Sequence, residues 1–507
     1  MRIGIVGFLC VALVACTTPL AVRDSEDPPI DSSRPSPLVE LVQPAVAAHG
    51  GASAVALVDG GAAAFALRAQ TAAKATRSLD LQYYIWHDDL TGRALAQALL
   101  DAADRGVRVR LLLDDMDARG KRDAIRALDA HPLIAVRVFN PLRSRSGVLR
   151  KGAELVGRFG RLNHRMHNKA WIADDVVAIV GGRNVGDEYF QASGGTNFAD
   201  LDLLLAGPAA DAFEQGFERY WNDEASLDLV QLDDHPDAAG LAKIRARFDA
   251  RRAPELDTPF LRDVAREPDL AGRIAQYVHW SDDVTALIDD PRKVHGDDSA
   301  EPGVLEGLRA AAEAARTRLV LVSPYFVPGD AGAAWLAAQR RRGIDVAVLT
   351  NSLAATDVAA VHAGYSRTRP ALVDAGVKLY ELRPDPGKQP RIGVKGSGAS
   401  LHGKAALIDD DLVFVGSFNL DPRSARINCE QGALVRNVAL ASELRTAFER
   451  ATNGGDRAWR VARDAASGEL RWIGRGDEAP LDGDPEAGAG RRFSAWLAGA
   501  LGLESQL

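Results

Sequence analysis

Apolar residues are spaced along this 507-residue chain so that they predict one succession of elements in two places. In the first half, RSLDLQYYIW from Arg77 is typical of a buried strand, GRALAQALLDAADRG of a helix, and VRVRLLLDD of a second strand. In the second half, TRLVLVSPYFV from Thr317, GAAWLAAQRRRG and IDVAVLTNS repeat that order. Gly106 and Gly343 stand where a helix C-terminus is expected.

A strand, a helix and a strand in this order form a βαβ unit, and strands this apolar indicate a sheet covered by helices on both faces. The sequence therefore predicts an α/β protein with two tandem layered domains. The first domain is expected over residues 39–223 and the second over 301–507, with a polar, charge-rich connecting segment at 224–300.

Each half also contains the same polar phrase, HNKAWIADDVVAIVGGRN in the first and HGKAALIDDDLVFVGSFN in the second. Both read as two short strands joined at an Asp-rich turn, and both end in two small residues, any residue and Asn. The matching positions are His167, Lys169, Asp174, Gly181 and Asn184 in the first copy, and His402, Lys404, Asp409, Gly416 and Asn419 in the second. Two copies at identical spacing indicate one site built from two halves.

The N-terminus predicts export from the cytoplasm. Residues 1–15 are typical of a signal peptide, because the apolar run is too short to span a membrane. Cys16 follows a sequence that resembles a bacterial lipobox, so Cys16 is expected to carry lipid; a plain secretory signal or an uncleaved anchor is the alternative. Residues 16–38 are rich in Pro, Ser and Asp and are predicted to form a flexible tether.

The composition and charge of the chain limit the binding partners and cofactors that can be expected. The net charge of -8 argues against a broad electrostatic hold on nucleic acid, so no nucleic-acid partner is expected. Only three cysteines occur, and after lipidation of Cys16 no disulfide framework remains. The histidines show no metal-ligand spacing, so neither a metal nor another cofactor is expected.

Two imidazoles that face each other supply what phosphodiester transfer needs, which is a nucleophile for phosphorus and an acid for the leaving oxygen. Lys169 and Lys404 are expected to hold the nonbridging phosphate oxygens. Asn184, Asn419 and the Ser417 hydroxyl are expected to add donors; the first copy has Gly182 where the second has Ser417.

A nucleophilic histidine needs an acceptor on its other ring nitrogen to fix its tautomer. Asp200 and Asp202 are predicted on one face of a strand, and we expect Asp200 to orient His167, with Asp202 as the alternative. Glu430 is expected to orient His402. Asp174 and Asp409 are interpreted as turn residues or structural ion-pair partners rather than as catalytic bases.

The paired phrases resemble the HKD motifs of the phospholipase D superfamily, and MHNKAWIADDVVAIVGGRNVGDEYF, FADLDLLLAGP and GSFNLDPRSARINCE are most similar to bacterial cardiolipin synthases of the C branch. The resemblance covers nearly everything after residue 50. It implies two α/β/α domains with mixed sheets related by a pseudo-twofold axis, a phosphohistidine intermediate and no metal. By the resemblance His167 is the nucleophile and His402 the general acid, although the near-symmetry leaves the reverse order open.

The function expected from this resemblance is transfer of phosphatidyl from one phospholipid to phosphatidylglycerol, which gives cardiolipin. Hydrolysis by a phospholipase D and cleavage of DNA by a periplasmic endonuclease are the alternatives. The expected partners are phospholipids and a membrane surface reached through the lipid anchor, with an accessory protein left open. The expected location is the bacterial cell envelope, as a periplasm-facing lipoprotein of the outer membrane.

Three further features of the sequence bear on the surroundings of this site. The Gly- and Lys-rich loop 383–400 is expected either to rim the pocket or to be a solvated loop. The aromatic residues that end the paired strands line the entrance or belong to the core, and the core is favoured for at least half of Tyr83, Tyr84, Trp86, Tyr325 and Phe326. The C-terminal GRRFSAWLAGALGLESQL predicts either a membrane-interfacial helix or a packed terminal helix.

Overall fold

The computed structural model describes residues 27–118, 120–142, 163–296, 303–384, 399–455, 457–476 and 478–500. The first lobe contains α1 Pro37–Ala48, β1 Ser53–Val58, α2 Gly61–Lys74, β2 Ser78–Tyr83, α3 Leu90–Asp104, β3 Arg108–Asp114, α4 Asp115–Ala118, α5 Arg122–Leu128, β4 Ile134–Phe139, β5 Ala170–Ala173, β6 Val177–Gly181, β7 Asn197–Ala199, β8 Asp202–Ala206, α6 Pro208–Trp221, β9 Ser226–Asp228, α7 Ala238–Leu256, α8 Pro259–Val264, α9 Leu270–Gln276 and β10 His279–Ser281.

The second lobe contains β11 Val284–Ile288, α10 Val304–Glu313, β12 Arg318–Val322, α11 Gly329–Arg341, β13 Asp345–Asn351, α12 Ala359–Asp374, β14 Lys378–Leu382, β15 Ala399–Leu401, β16 Ala405–Ile408, β17 Leu412–Gly416, α13 Pro422–Arg426, β18 Gln431–Arg436, α14 Val438–Thr452, β19 Ala458–Arg463, β20 Leu470–Ile473, β21 Leu481–Asp482 and α15 Ala489–Ala500. Short 3₁₀ helices lie at Val230–Leu232, Pro291–His295 and Asn453–Gly455.

The two large sheets have the same plan. The first runs β10-β1-β8-β6-β5-β2-β3-β4-β9 and the second β11-β18-β17-β16-β12-β13-β14-β19-β20-β21. In each sheet the three strands of the βα succession are parallel, β2-β3-β4 and β12-β13-β14, and the two motif strands join them antiparallel. The predicted α/β class with two layered domains and mixed sheets is therefore confirmed.

The two lobes share an apolar core, which fixes their relative position. Strands β5, β6, β16 and β17 are buried along their whole length, as sheets covered on both faces require. One continuous cluster contains Val180 from the first sheet, Phe217 from α6, and Val413 and Val435 from the second sheet. Because this cluster spans both lobes, side chains from the two halves can be held in one site.

Backbone pairing also crosses between the lobes. Strand β7 of the first lobe pairs in parallel with β15 of the second, and the His402 N–H donates to the carbonyl of Ala199 at 2.8 Å. At the matching place of the other histidine segment, Met166 forms a β-bridge with Cys429, and the His167 N–H donates to the Cys429 carbonyl at 2.8 Å. Each catalytic histidine candidate is therefore anchored on the backbone of the opposite lobe.

Two of the expected boundaries need correction. Residues 27–38 were assigned to a flexible tether, but Asp27 accepts from Arg137 and from the Trp221 indole, and Pro37 already begins α1. The connecting segment 224–300 is not a separate linker, since it supplies edge strands β9 and β10 to the first sheet and β11 to the second. Polar composition misled both expectations, because it does not show that these residues add ion-paired side chains and edge strands to the lobes.

Other expectations fall outside the described residues, namely the signal peptide at 1–15, the lipidated Cys16 and most of the loop 383–400. Among the helices of the described ranges, none combines the length and the apolar character needed to cross a bilayer.

Candidate active site

The two motif histidines lie at the same edge of their sheets. His167 and Lys169 immediately precede β5, and His402 and Lys404 immediately precede β16. Asp174 and Asp409 lie in the turns at the opposite ends of these strands, where each carboxylate accepts from three consecutive backbone N–H groups at the start of β2 or β12. This position separates both aspartates from the histidines and gives them a structural role.

Each histidine is paired with a carboxylate of the other lobe. His167 Nδ1 donates to Glu430 Oε2 at 2.8 Å, and His402 Nδ1 donates to Asp200 Oδ2 at 2.5 Å. The expected pairing of Asp200 with His167 and of Glu430 with His402 is therefore wrong. The carboxylates are exchanged because the residue before each of them, Ala199 or Cys429, is hydrogen-bonded to the histidine segment of the opposite lobe.

Asp202, the alternative partner expected for His167, is excluded because it is already bound to other residues. Asp202 lies in β8 and forms a fully buried ion pair with Arg68 at 3.0 Å, while Arg183 lies 3.4 Å from the same oxygen. Asp200 lies in the break between β7 and β8, so the two aspartates do not share the face of one strand as expected. The break frees the Asp200 side chain to turn towards His402.

Ser417 has a different task from the one expected. Its hydroxyl donates to Glu430 Oε2 at 2.5 Å and accepts from the Gln431 N–H, so its single proton is committed to the carboxylate rather than to phosphate. Ser424 donates to the other oxygen, Glu430 Oε1, at 2.8 Å. At the matching position of the first lobe, a Cβ on Gly182 would lie 2.2 Å from Asp200 Oδ1, so glycine makes room for that carboxylate.

The two lysines are buried beside the histidines. Lys169 and Lys404 are each 1% exposed, and each ammonium donates to the carbonyl of the histidine two residues earlier. Lys404 Nζ also lies 3.2 Å from His402 Nε2. Burial lowers the pKa of Lys404 to about 8, against the attraction of Asp200 and Glu430, and burial lowers the pKa of Lys169 well below its usual value.

Burial also sets the charge of the two dyads. It lowers the pKa of His167 to about 4, with Lys169 contributing and Glu430 opposing, and it lowers the pKa of His402 together with Lys404. Burial alone would raise the pKa of Glu430 and Asp200, but the facing histidines and lysines hold both below the usual carboxyl value. Near neutral pH the dyads are therefore imidazole and carboxylate, with each Nδ1 proton donated to oxygen and Nε2 left as a lone pair.

The asparagines flank this centre. Asn184 is 1% exposed and its Oδ1 accepts from the Ile85 N–H at 3.2 Å. Asn419 is 4% exposed, its N–H donates to Ser424, and its Oδ1 has no hydrogen-bond partner within the described ranges. Their expected contribution to phosphate binding stays a prediction.

Aromatic rings enclose the histidines. Tyr84 meets His167 edge-on with ring centroids 5.1 Å apart, while Tyr189 and Phe198 lie 5.2 Å and 5.0 Å from the His402 ring. Tyr189 and Phe198 were missed from the sequence, because neither lies in a matching position of the two motifs.

Of the strand-end aromatics, three are in the core and one, Tyr84, packs on His167. Tyr83, Trp86 and Phe326 are buried in apolar clusters. Tyr325 donates from its hydroxyl to Asp357 at 2.7 Å.

Two groups of His, Asp or Glu side chains in the described ranges have ligand atoms close enough for a metal ion. Asp80, Asp175 and Glu214 surround guanidinium groups instead, since Arg110 binds both Asp80 and Glu214. The other group is His87, Asp89 and Glu188, in which His87 Nδ1 lies 3.1 Å from Glu188 and Asp89 caps α3. Neither group contains a residue of the two motifs.

Comparisons with known proteins agree with this architecture. A family model described as cardiolipin synthase, PLD-like domain, matches residues 69–221 and 308–452. Cardiolipin synthase C of Escherichia coli (strain K12) is 38% identical over 475 residues, covering 92% of this chain and 99% of that protein. A cardiolipin synthase of Staphylococcus aureus (strain Mu50 / ATCC 700699) is 26% identical over 379 residues, covering 74% of this chain and 62% of that protein.

Among solved structures, phosphatidylserine synthase of Haemophilus influenzae Rd KW20 matches with a TM-score of 0.58 and 13% identity, covering 92% of this chain and 99% of that one. At this identity the match establishes a shared fold. Together with the family model and the 38% identical relative, the doubled motif and its cross-lobe dyads show that this chain belongs to the phospholipase D-like family of the cardiolipin synthase type.

Proposed function

We propose that this protein is a phosphatidyl transferase that makes cardiolipin from phosphatidylglycerol and a second phospholipid. The observation that carries the proposal is the pair of cross-lobe dyads, His167 with Glu430 and His402 with Asp200, in one electrostatic environment. The shared environment is evident because Lys404 lowers the pKa of His167 and Lys169 lowers that of His402.

The first step follows from the protonation of the dyads. The phosphodiester of the donor binds between Lys169 and Lys404, and His167 Nε2 attacks phosphorus. The bond from phosphorus to the headgroup oxygen breaks, and His402 gives that oxygen a proton. The negative substrate beside His402 favours the protonated imidazole that this step needs, while Glu430 stabilises the positive charge on the phosphorylated His167 ring.

The second step reverses the proton transfer. His402 takes the proton of a terminal glycerol hydroxyl of phosphatidylglycerol, the hydroxyl oxygen attacks phosphorus, and the Nε2–phosphorus bond breaks. Cardiolipin leaves, and His402 is again ready to act as an acid. Water in place of this hydroxyl gives phosphatidic acid by the same intermediate.

An apolar cavity beside the site supports a lipid substrate. It has a volume of about 640 Å³ and lies between α3, α5 and α7, with walls that include Ala96, Leu111 and Ile244. Trp86 and His87 line it where the chain leaves β2, two and three residues after Tyr84, which packs on His167. This cavity is the proposed site of an acyl chain, although its lining includes no residue of the two motifs.

The proposed location is the cell envelope, with a lipid anchor on Cys16 and contact with a membrane surface. The C-terminal helix α15 supports membrane contact, because Ala495 and Ala498 pack on the lobe while Phe493, Trp496 and Leu497 are 60%, 66% and 40% exposed. Co-sedimentation with phosphatidylglycerol vesicles is expected to fall in Trp496→Ser and to be retained in the control Leu481→Ser, whose side chain is exposed elsewhere. Equal binding by both variants would contradict the role of α15.

The activity itself is tested by incubating purified protein with mixed phospholipids and, separately, with plasmid DNA, with and without a chelator. Cardiolipin that forms equally with the chelator is the expected product. Phosphatidic acid alone would indicate a phospholipase, and nicked plasmid a nuclease.

His167→Ala and His402→Ala are each expected to abolish turnover, and full activity in either variant would contradict the shared site. If purified protein is inactive but an extract restores cardiolipin formation, an accessory protein is needed.

A further inference from the structure

One buried cation beside the catalytic centre has no role in the mechanism above. Arg165 lies two residues before His167 in the extended segment that pairs with Cys429, so Arg165, His167 and Lys169 project from the same side of the chain. Arg165 is 5% exposed. A guanidinium at this depth is normally fully hydrogen-bonded, because leaving it unsatisfied is costly.

Two of the three guanidinium nitrogens of Arg165 lack a hydrogen bond. Its Nε and Nη1 are buried with no hydrogen-bond partner among the residues that the structure describes. The nearest carboxylate oxygen, Asp114 Oδ1, is 3.6 Å from Nη1, and Asp114 already accepts from the Met116 and Met166 N–H groups. Arg165 therefore forms an ion pair with Asp114 without a hydrogen bond from Nε or Nη1, and these two donors can bind a second anion.

At the matching positions of the second lobe there is no charged pair. Asn351 ends β13 as Asp114 ends β3, and Asn351 Oδ1 accepts from the Leu401 N–H just as Asp114 accepts from Met166. The counterpart of Arg165 is Ser400, which is fully buried and uncharged. The second lobe therefore holds its histidine segment with neutral residues, whereas the first lobe uses Asp114 and adds Arg165 beside it.

Arg165 lies at the His167 side of the site, beside the buried Asp114 carboxylate. Tyr84, which packs on His167, has its pKa raised to about 12 by burial and by Asp114, whereas the charges of Arg423 and Arg165 oppose that rise. Both guanidinium charges therefore act on Tyr84. Arg423 belongs to the second lobe and is held by the Asn163 side chain and carbonyl.

We propose that Arg165 binds the phosphate of the acceptor lipid, so that this site selects an acceptor hydroxyl attached through glycerol to its own phosphodiester. The inference rests on the proposed function and specifies its acceptor. In phosphatidylglycerol the attacking hydroxyl and the phosphate are at opposite ends of one glycerol unit. The acceptor phosphate must therefore lie near His167 but outside the cradle of Lys169 and Lys404, which the reacting phosphate occupies. A planar guanidinium matches two phosphate oxygens, and water or free glycerol has no group for it.

The test compares Arg165→Gln with Arg165→Lys in the full-length protein. Transfer is measured against the concentration of phosphatidylglycerol, and separately with free glycerol as acceptor, at a fixed donor concentration. Arg165→Gln is expected to raise the KM for phosphatidylglycerol by about 10- to 100-fold, the worth of a charged hydrogen bond, and to reduce transfer to glycerol far less. Arg165→Lys is expected to restore part of the affinity, because it keeps the charge without the fork.

Ser400→Ala, at the matching position of the second lobe, is the control and is expected to leave the KM for phosphatidylglycerol unchanged. An unchanged KM in Arg165→Gln overturns the inference, and so does an equal loss with both acceptors, which would mean that Arg165 only supports the fold. These outcomes differ from failure of the proposed function, in which the wild-type protein itself forms no cardiolipin.

Discussion

Glu430→Gln is the substitution that most clearly separates the two dyads. Glu430 accepts from His167 Nδ1 at 2.8 Å and from the hydroxyls of Ser417 and Ser424 at 2.5 Å and 2.8 Å. A glutamine can keep its oxygen towards His167 and Ser417 and turn its amide towards Ser424, whose hydroxyl can accept. The geometry then survives, but the negative charge opposite the phosphorylated imidazole is lost. We expect a fall of about 100-fold in the first chemical step, about 2.7 kcal/mol of barrier.

The assay is a rapid-mixing burst with a phosphatidyl donor whose headgroup is p-nitrophenol, an acidic phenol that leaves without a proton from His402. Asp200→Asn, which perturbs only the His402 dyad, is therefore expected to keep most of the burst rate on this donor, whereas Glu430→Gln loses it. With an alkyl headgroup both variants are expected to be slow. A burst that Asp200→Asn slows as much as Glu430→Gln on the p-nitrophenyl donor would refute the exchanged pairing of the carboxylates.

Three other predictions follow from single features of the structure. The pKa of Lys404 is lowered to about 8, so kcat/KM is expected to fall as pH rises above about 8 and the ammonium is lost, and Lys404→Arg should move this limb to higher pH; an unmoved limb would exclude Lys404 as its source. Asp174→Ala removes a buried acceptor of three backbone N–H groups and is expected to lower the unfolding free energy in urea by about 2–4 kcal/mol while the folded fraction keeps its specific activity; a specific loss of activity would contradict its structural role. Ala96→Trp should fill the apolar cavity and reduce turnover of long-chain donors more than short-chain ones, whereas Gln97→Trp, outside the cavity lining, should not discriminate by chain length; equal discrimination by both would argue against an acyl chain there.

The fold was predictable because its signals are local and repeated. The strand, helix and strand around Tyr83 and around Val322 have apolar runs that need no information about the rest of the chain, and the glycines at 106 and 343 close their helices in the left-handed region. The two-strand form of each motif is also local, since Asp174 and Asp409 adopt positive φ in the turns between the strands.

The pairing inside the site was not predictable from these signals. Asp200 follows its motif histidine by 33 residues and Glu430 follows His402 by 28, so each carboxylate appears along the chain to belong to its own half. The exchange depends on backbone bonds from His402 to Ala199 and from His167 to Cys429, which exist only once the lobes have docked. Spacing within one half carries no information about such contacts.

Ser417 and Arg165 illustrate the same limit for single residues. A serine hydroxyl in a motif can donate a hydrogen bond either to a phosphate or to a carboxylate. The 2.5 Å contact of Ser417 with Glu430 shows that this hydroxyl donates to the carboxylate. Arg165 is one of many arginines in the sequence, and among the described arginines it stands out by having two buried guanidinium nitrogens without a hydrogen bond. Whether a side chain has a hydrogen-bond partner can be seen only in the structure.

The most direct measurement is to quench the wild-type protein during turnover with labelled phosphatidylglycerol and to map the labelled peptide. The account predicts an acid-labile phosphatidyl group on the peptide containing His167, followed by its transfer into cardiolipin. Label on the peptide containing His402 would reverse the assigned roles. Cardiolipin formation with no labelled histidine at any time would contradict the claim that two imidazoles from opposite lobes act on one phosphorus atom through a covalent intermediate.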